Sequence, residues 1–305
     1  MNLPGRMIPT LSRKKGTITH NRRGMMKKSK LLALVTVALG VVVLGGVVYA
    51  ADLTGNQILH KMIDHQDEIM GGSLIMTMKL ENVYSDGTSG ETVFAGMGKR
   101  STDPSVPDKS LVYYKEPEDV AGTIFLAIKP DEGDSRMWLY LPALGSAKEL
   151  VSEEQEQSFA GSTFSYKDIG SASSVEDDYD AELIGEEAVT VDGKSYDCYV
   201  LKLTAKPDAN VDYPTQKLWV SKDFWTSLKG ESYNEDGKLE ITMEVVKLGK
   251  FEGNVVPDEM FSKNVIEGNS SRMIFLERKR PASEIPDSVF DANNLASFDP
   301  SAYGL

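Results

Sequence analysis

Arg136-Met137-Trp138-Leu139-Tyr140-Leu141-Pro142, followed after a charged stretch by Ser158-Phe159-Ala160-Gly161-Ser162-Thr163-Phe164-Ser165-Tyr166-Lys167-Asp168-Ile169, decides how this chain folds. Five apolar or aromatic residues stand between a charged entry and a proline, the pattern of a short strand buried on both faces. Alternation sends Met137, Leu139 and Leu141 to one side and Trp138 and Tyr140 to the other. Pro142 has no N–H for a ladder, so the strand is expected to end there. Neither segment pairs a nucleophile with a base, gathers metal ligands or forms a phosphate loop, and the stretch reads as architectural.

Strands surround it. Ser73 to Glu81 alternates with Leu74, Met76, Met78 and Leu80 on one face, and Gly122 to Ile128 sets Ile124, Leu126 and Ile128 on one face. Lys238 to Leu248 places Leu239, Ile241 and Met243 opposite Glu240, Thr242 and Glu244. Asp86-Gly87, Asp192-Gly193 and Asp236-Gly237 are hairpin turns. Regular short strands with such turns predict an antiparallel meander that curls or closes. A helix precedes it: Ile58, Leu59, Met62, Ile63, Ile69 and Met70 recur at helical spacing between a cap at Thr54 or Asp52 and the stop Gly71-Gly72. Near the C-terminus, Val256-Pro257-Asp258-Glu259-Met260-Phe261 is echoed by Ile285-Pro286-Asp287-Ser288-Val289-Phe290. Both are expected to be helical turns that drop a phenylalanine onto the sheet.

Residues 1–50 hold nine basic residues and no acid, and Leu31 to Ala50 carries no charge. A basic start, an apolar run and the small-residue exit Val48-Tyr49-Ala50 describe a secretory signal, with Met25-Met26-Lys27-Lys28 as its natural beginning and the first ~24 residues as an extension. The alternative is an uncleaved inner-membrane anchor, because the run approaches the ~20 residues a span requires. Either way the remainder is expected outside the cytoplasm, as a domain over 51–280 with a tail over 281–305. Residues 51–305 carry a net charge of -22. So acidic a surface excludes nucleic acid, whose phosphates demand cations. Cys198 is the one cysteine, so no internal disulfide forms.

The chemistry-bearing residues are sparse. The only histidines after residue 50, His60 and His65, stand five apart in the first helix, about 140° around its axis. His60 with Asp64, or His65 with Glu68, gives two ligands at one-turn spacing, and these read as solvated side chains. No Gly-x-Ser-x-Gly elbow occurs. Asp131-Glu132-Gly133-Asp134 and Glu176-Asp177-Asp178 read as solvated loops. No enzyme, metal or cofactor is expected. Methionine is the positive signal: Met76, Met78, Met97, Met137, Met243 and Met273 all fall in expected strands, and thioethers suit surfaces that accommodate varied apolar ligands. One helix and a few plugs leave part of a large curled sheet uncovered.

The stretch from Arg136 to Pro142, with Phe159 to Asp168 after it, resembles the signature of the outer-membrane lipoprotein-sorting protein family, within the LolA/LolB-like superfamily of periplasmic carriers. Val191-Asp192-Gly193, Leu218-Trp219-Val220 and Tyr233-Asn234-Glu235-Asp236-Gly237-Lys238-Leu239 match in the same order. The signature residues are Arg136, Trp138, Tyr140, Pro142, Phe159, Gly161, Phe164, Ser165, Tyr166 and Asp168. The resemblance implies a mainly β fold, an antiparallel open half-barrel with an N-terminal helix and short helical plugs over its concave face. It also implies a non-catalytic carrier of lipid or lipoprotein acyl chains, served by an inner-membrane transporter and an outer-membrane acceptor. The expected groove lining is Leu74, Met76, Met78, Leu80, Ile124, Leu126, Ile128, Leu239, Ile241 and Met243. A second reading makes the chain an accessory or assembly partner of an envelope transporter of the RND/MMPL type, docking through Trp138, Tyr140 and Trp219.

Overall fold

The computed structural model describes residues 53–305 apart from 102, 104, 131–134 and 171–174. The expected signal segment and the acidic run 131–134 therefore lie outside the described residues.

One antiparallel sheet of 13 strands carries the domain, in the order β6-β5-β4-β3-β2-β1-β13-β12-β11-β10-β9-β8-β7. The strands are β1 (Gly72–Val83), β2 (Ser89–Arg100), β3 (Asp108–Glu116), β4 (Ile124–Lys129), β5 (Arg136–Leu141) and β6 (Ser146–Glu149) in the first half. The second half holds β7 (Tyr179–Val191), β8 (Lys194–Ala205), β9 (Thr215–Ser221), β10 (Ser227–Tyr233), β11 (Leu239–Phe251), β12 (Asn254–Asn264) and β13 (Ser270–Lys279). Each half is a meander, and β13 joins them by pairing with β1. The sheet stays open, although β7 curls far enough to touch β10 and β11.

Local chemistry sets the elements. Helix α1 (Gly55–Met70) starts on a capping box: Gln57 N–H donates to Thr54 Oγ1 at 3.3 Å and Thr54 N–H to Gln57 Oε1 at 2.9 Å. Its stripe of Ile58, Leu59 and Met62 is buried on Leu201, Leu203 and Val220. At the other end the Arg280 guanidinium donates to the carbonyls of Ile69 and Gly71 at 2.8 and 2.6 Å, satisfying acceptors that a helix terminus leaves open. Asp192 (φ 48°) and Gly193 (φ 75°) make the tight turn between β7 and β8.

Residues paired across an antiparallel ladder share a face, so the registers sort every side chain. Ile75, Met97, Leu111, Leu126 and Trp138 follow one another across β1 to β5 on one face. That face, here the outer face, is covered by the tail, whose Ile285, Phe290 and Leu295 are buried against it. On the other, inner face lie α1 and three short helical pieces: α2 (Ser152–Gln155), a 3-10 turn at Phe159–Gly161 and α3 (Tyr166–Gly170). A last short helix, α4 (Val175–Asp178), precedes β7.

Two sequence expectations change. Val256 to Phe261 lies inside β12, not in a helical turn, because Pro257 is tolerated at a register shift opposite Leu248. Its echo does form a 3-10 turn over Asp287–Phe290, but this turn sits on the outer face. β6 and the long edge strand β7 were not anticipated from the pattern.

Candidate functional site

The inner face of β1 to β5 is roofed by the segment from Leu150 to Gly170. Phe159 enters a box of rings: its centroid lies 5.2 Å from Phe94, 5.8 Å from Tyr114, 6.0 Å from Phe125 and 5.5 Å from Tyr166. Burying one such ring removes it from water at roughly 1.5–3 kcal/mol. Gly170 closes the far end, and a Cβ there would stand 2.7 Å from Phe125 Cζ and 2.9 Å from Ala127 Cβ. Between them the roof turns sharply. Ala160 (φ 50°) and Gly161 (φ 73°) take left-handed conformations, and a Cβ on Gly161 would meet the Tyr84 hydroxyl at 2.4 Å.

Polar contacts hold this roof to the middle of the sheet. Asn82 Nδ2 donates to the Ala160 carbonyl at 2.9 Å. Thr163 N–H donates to Ser271 Oγ, and Ser271 Oγ donates to Asn82 Oδ1, both at 2.9 Å. Beside this chain the buried hydroxyls of Thr163 and Ser262 make no hydrogen bond. Leaving such groups unpaired costs on the order of 1–3 kcal/mol each, so the closed latch is not fully satisfied.

A second contact ties the roof to the loop between β8 and β9. Lys167 Nζ reaches Glu156 Oε1 at 2.8 Å and donates to the Asn210 carbonyl at 3.1 Å. Asp212 on that loop has its pKa pushed up to about 6, by burial first and then by a hydrogen bond with Glu156. Ser165 and Asp168 cap α3 reciprocally, at 2.8 and 3.0 Å, while burial raises the Asp168 carboxyl above its ordinary range.

Between α1 and this roof the inner face is thinly covered. Met76, Met78, Met243 and Met273 are half-buried, and the Cε atoms of Met78 and Met76 lie 3.1 and 3.9 Å from where Gly96 would carry a Cβ. A gap of about 80 Å³ remains among Met70, Leu74, Met76, Gly98, Ala127 and Gly170. Ligand pockets run to ~300–1,000 Å³, so this gap on the inner face is too small for an alkyl chain.

The expected groove lining divides. Leu74, Met76, Met78 and Leu80 alternate onto the inner face, and Met243 and Ile241 join them there through Ser262 and Ser271. Ile124, Leu126 and Ile128 are on the outer face instead, paired with Tyr140, Trp138 and Arg136, with Ile124 and Leu126 buried under the tail. Every residue from Ile124 to Ala127 is buried, so alternation alone gives no inward side for β4. Leu239 also turns outward: a register shift pairs it with Tyr233, which shares the outer side with Glu231 and Lys217.

The signature residues divide as well. Phe159, Phe164 and Tyr166 fill the roof, whereas Trp138 and Tyr140 belong to the outer layer. Arg136 makes a two-point ion pair with Glu149 at 2.8 and 2.9 Å and lies over the Trp138 ring. Pro142 stands in the turn after β5, its Cγ 3.0 Å from a Cβ position on Gly122. Trp138 and Trp219 are buried, so they do not offer the docking aromatics expected from the sequence. His60 contacts Asp64 and Glu176 at 3.5 and 3.0 Å on the surface. The latch residues Asn82 and Ser271 gave no sequence signal beyond being polar in otherwise apolar strand faces.

A model of a family described as uncharacterized protein matches residues 107–297. No curated protein matches the chain. Among solved structures, a DUF1329 family protein from Desulfovibrio piger is similar at 26% identity and TM-score 0.69, over 78% of this chain and 95% of that one. A domain assigned to the outer membrane lipoprotein-sorting proteins, from Vibrio parahaemolyticus, gives 26% and 0.69 over 79% and 98%. A LolA superfamily protein from Nitrosomonas europaea shares the fold at 21% identity and TM-score 0.59, over 78% and 98%. Among the described residues no helix is long and apolar enough to cross a membrane.

Proposed function

The chain belongs to the family whose model spans residues 107–297 and has the lipoprotein-sorting, LolA-like fold, and we propose that it is a periplasmic carrier. In this reading it takes up an acyl chain of a lipid or lipoprotein on the inner face, under a lid formed by residues 150–170, and hands it on toward the outer membrane. The observation that carries the proposal is the pairing of a half-buried methionine band with a roof fixed to the sheet by a short, incompletely satisfied latch.

The energetics suit reversible loading. Removing an acyl chain from water yields about 0.8 kcal/mol per CH₂, roughly 12 kcal/mol for sixteen carbons before costs. Lifting the lid exposes Phe159, Phe164 and Tyr166, which opposes that gain. Closed-empty and open-loaded states are thereby brought close together, and a partner that favours either one drives uptake or release. An inner-membrane transporter would supply the cargo and an outer-membrane acceptor would remove it. The reading involves no covalent step.

The test is native mass spectrometry of protein taken from its own envelope, with extraction of bound lipid, alongside titration with a fluorescent fatty acyl probe. Bound acyl chains, and weaker probe binding by Met78→Glu with the fold intact, are expected. Lipid-free protein whose probe affinity is indifferent to Met78→Glu would overturn the proposal.

A further inference from the structure

Three hairpin ends meet around a cleft of about 450 Å³, well inside the ~300–1,000 Å³ range of small-molecule sites. The carrier reading makes no use of it. Its floor is aromatic: Tyr196 and Phe224 pack edge to face with centroids 5.5 Å apart and planes at 86°, and Leu248 joins the same cluster. Two cations from different hairpins line it, Lys194 beside the β7–β8 turn and Lys250 near the end of β11. Lys194 Nζ lies 4.7 Å from the Tyr196 ring centroid. Neither lysine has a carboxylate within ion-pair distance among the described residues, although residues 51–305 carry 46 acids to 24 bases. Asp223 is the single acid of the lining.

Beside the cleft, β11 packs tightly on β12. A Cβ on Gly249, next to Lys250, would fall 2.0 Å from the Asp258 carboxylate, which is itself fixed by Arg278 at 2.9 Å. The end of β11 is thereby seated closely against β12, with Lys250 paired to Val255. Two lysines without carboxylate partners, lining a cleft with an aromatic floor, match one ligand chemistry: a negative head for the lysines and an apolar body that covers the rings.

We propose that this cleft binds a small organic anion with an apolar body, its carboxylate, sulfonate or phosphate held between Lys194 and Lys250 and its body resting on Tyr196 and Phe224. The test uses two dyes with the same aromatic character, anilinonaphthalene sulfonate and the uncharged N-phenyl-1-naphthylamine. Replacing both lysines, Lys194→Gln with Lys250→Gln, touches only exposed side chains. It is expected to weaken the sulfonate about tenfold while leaving the neutral dye within about twofold. Phe224→Ala weakens both, and Met78→Glu on the inner face leaves the sulfonate in place. Decanoate displaces it and inorganic phosphate alone does not. Unchanged sulfonate affinity in the double lysine variant overturns the proposal, as does loss of the sulfonate in Met78→Glu with retention in the lysine variant. Displacement by phosphate alone overturns the apolar-body requirement. None of these outcomes depends on acyl loading under the lid.

Discussion

The side-chain amide of Asn82, in β1, donates to the carbonyl of Ala160 at 2.9 Å, although the two are 78 positions apart. Ala160 holds a left-handed backbone there, at φ 50°. Asn82→Ala removes this bond and strands Ser271 Oγ, at a cost of about 1–3 kcal/mol. Faster hydrogen exchange is expected at the Phe159 and Ser162 amides, which bond within the roof to Phe164 and Phe159. If global stability drops while those amides exchange as before, Asn82 supports the sheet and not the lid.

Gly170 touches Phe125, Ala127 and Met137 so closely that any side chain must lift α3. Gly170→Ala is expected to cost about 1–3 kcal/mol by overpacking. It should also raise the rate of acyl-probe uptake measured by stopped-flow fluorescence. Slower uptake would mean that α3 does not open.

Thr163 and Ser271 meet across the latch, the Thr163 N–H on Ser271 Oγ at 2.9 Å, so a cysteine at each is the pair to test as a bridge from lid to sheet. The oxidised Thr163→Cys/Ser271→Cys protein is expected to exclude the acyl probe, and reductant to restore binding. The native Cys198 does not compete: it is buried, and burial pushes its thiol up to about 11. Probe uptake in the verified oxidised form would show that cargo enters elsewhere.

Asp212 links acidity to the lid. Its folded pKa of about 6 lies above an unfolded value of about 3.9, so the folded chain binds the extra proton between the two. The stability it contributes is therefore present at low pH and is lost as pH rises through about 6. Burial raises Asp168 in the same sense, while its hydrogen bonds from Ser165 oppose it in part. Thermal melts from about pH 4 to pH 7 should show a decline that Asp212→Asn flattens. Parallel curves for the two proteins would remove Asp212 as the cause.

Much of this architecture was legible because strands facing water on one side announce their period. β1 reads inward through Leu74, Met76, Met78 and Leu80, and α1 reads through its stripe and its Thr54 cap. Where both faces are buried, as in β4, apolar residues run on and the inward side cannot be assigned. β7 was missed because an edge strand bearing Glu182, Glu186 and Glu187 mimics a solvated loop. Pro257 hid β12. The latch was illegible for a different reason: Asn82, Ser271 and Ala160 meet only after three distant segments fold, and no local pattern marks them.

The tail has a consequence for how the molecule is made. Residues 285–305 are what cover Ile75, Met97, Leu111, Ile124, Leu126 and Trp138, with Leu305 among the contacts. A chain emerges from its N-terminus, so the back of the sheet is greasy and bare until residues 285–305 arrive. The nascent protein is thus most prone to clump after the strands have emerged and before residues 285–305 follow them, and a holding chaperone would be needed longest in that interval.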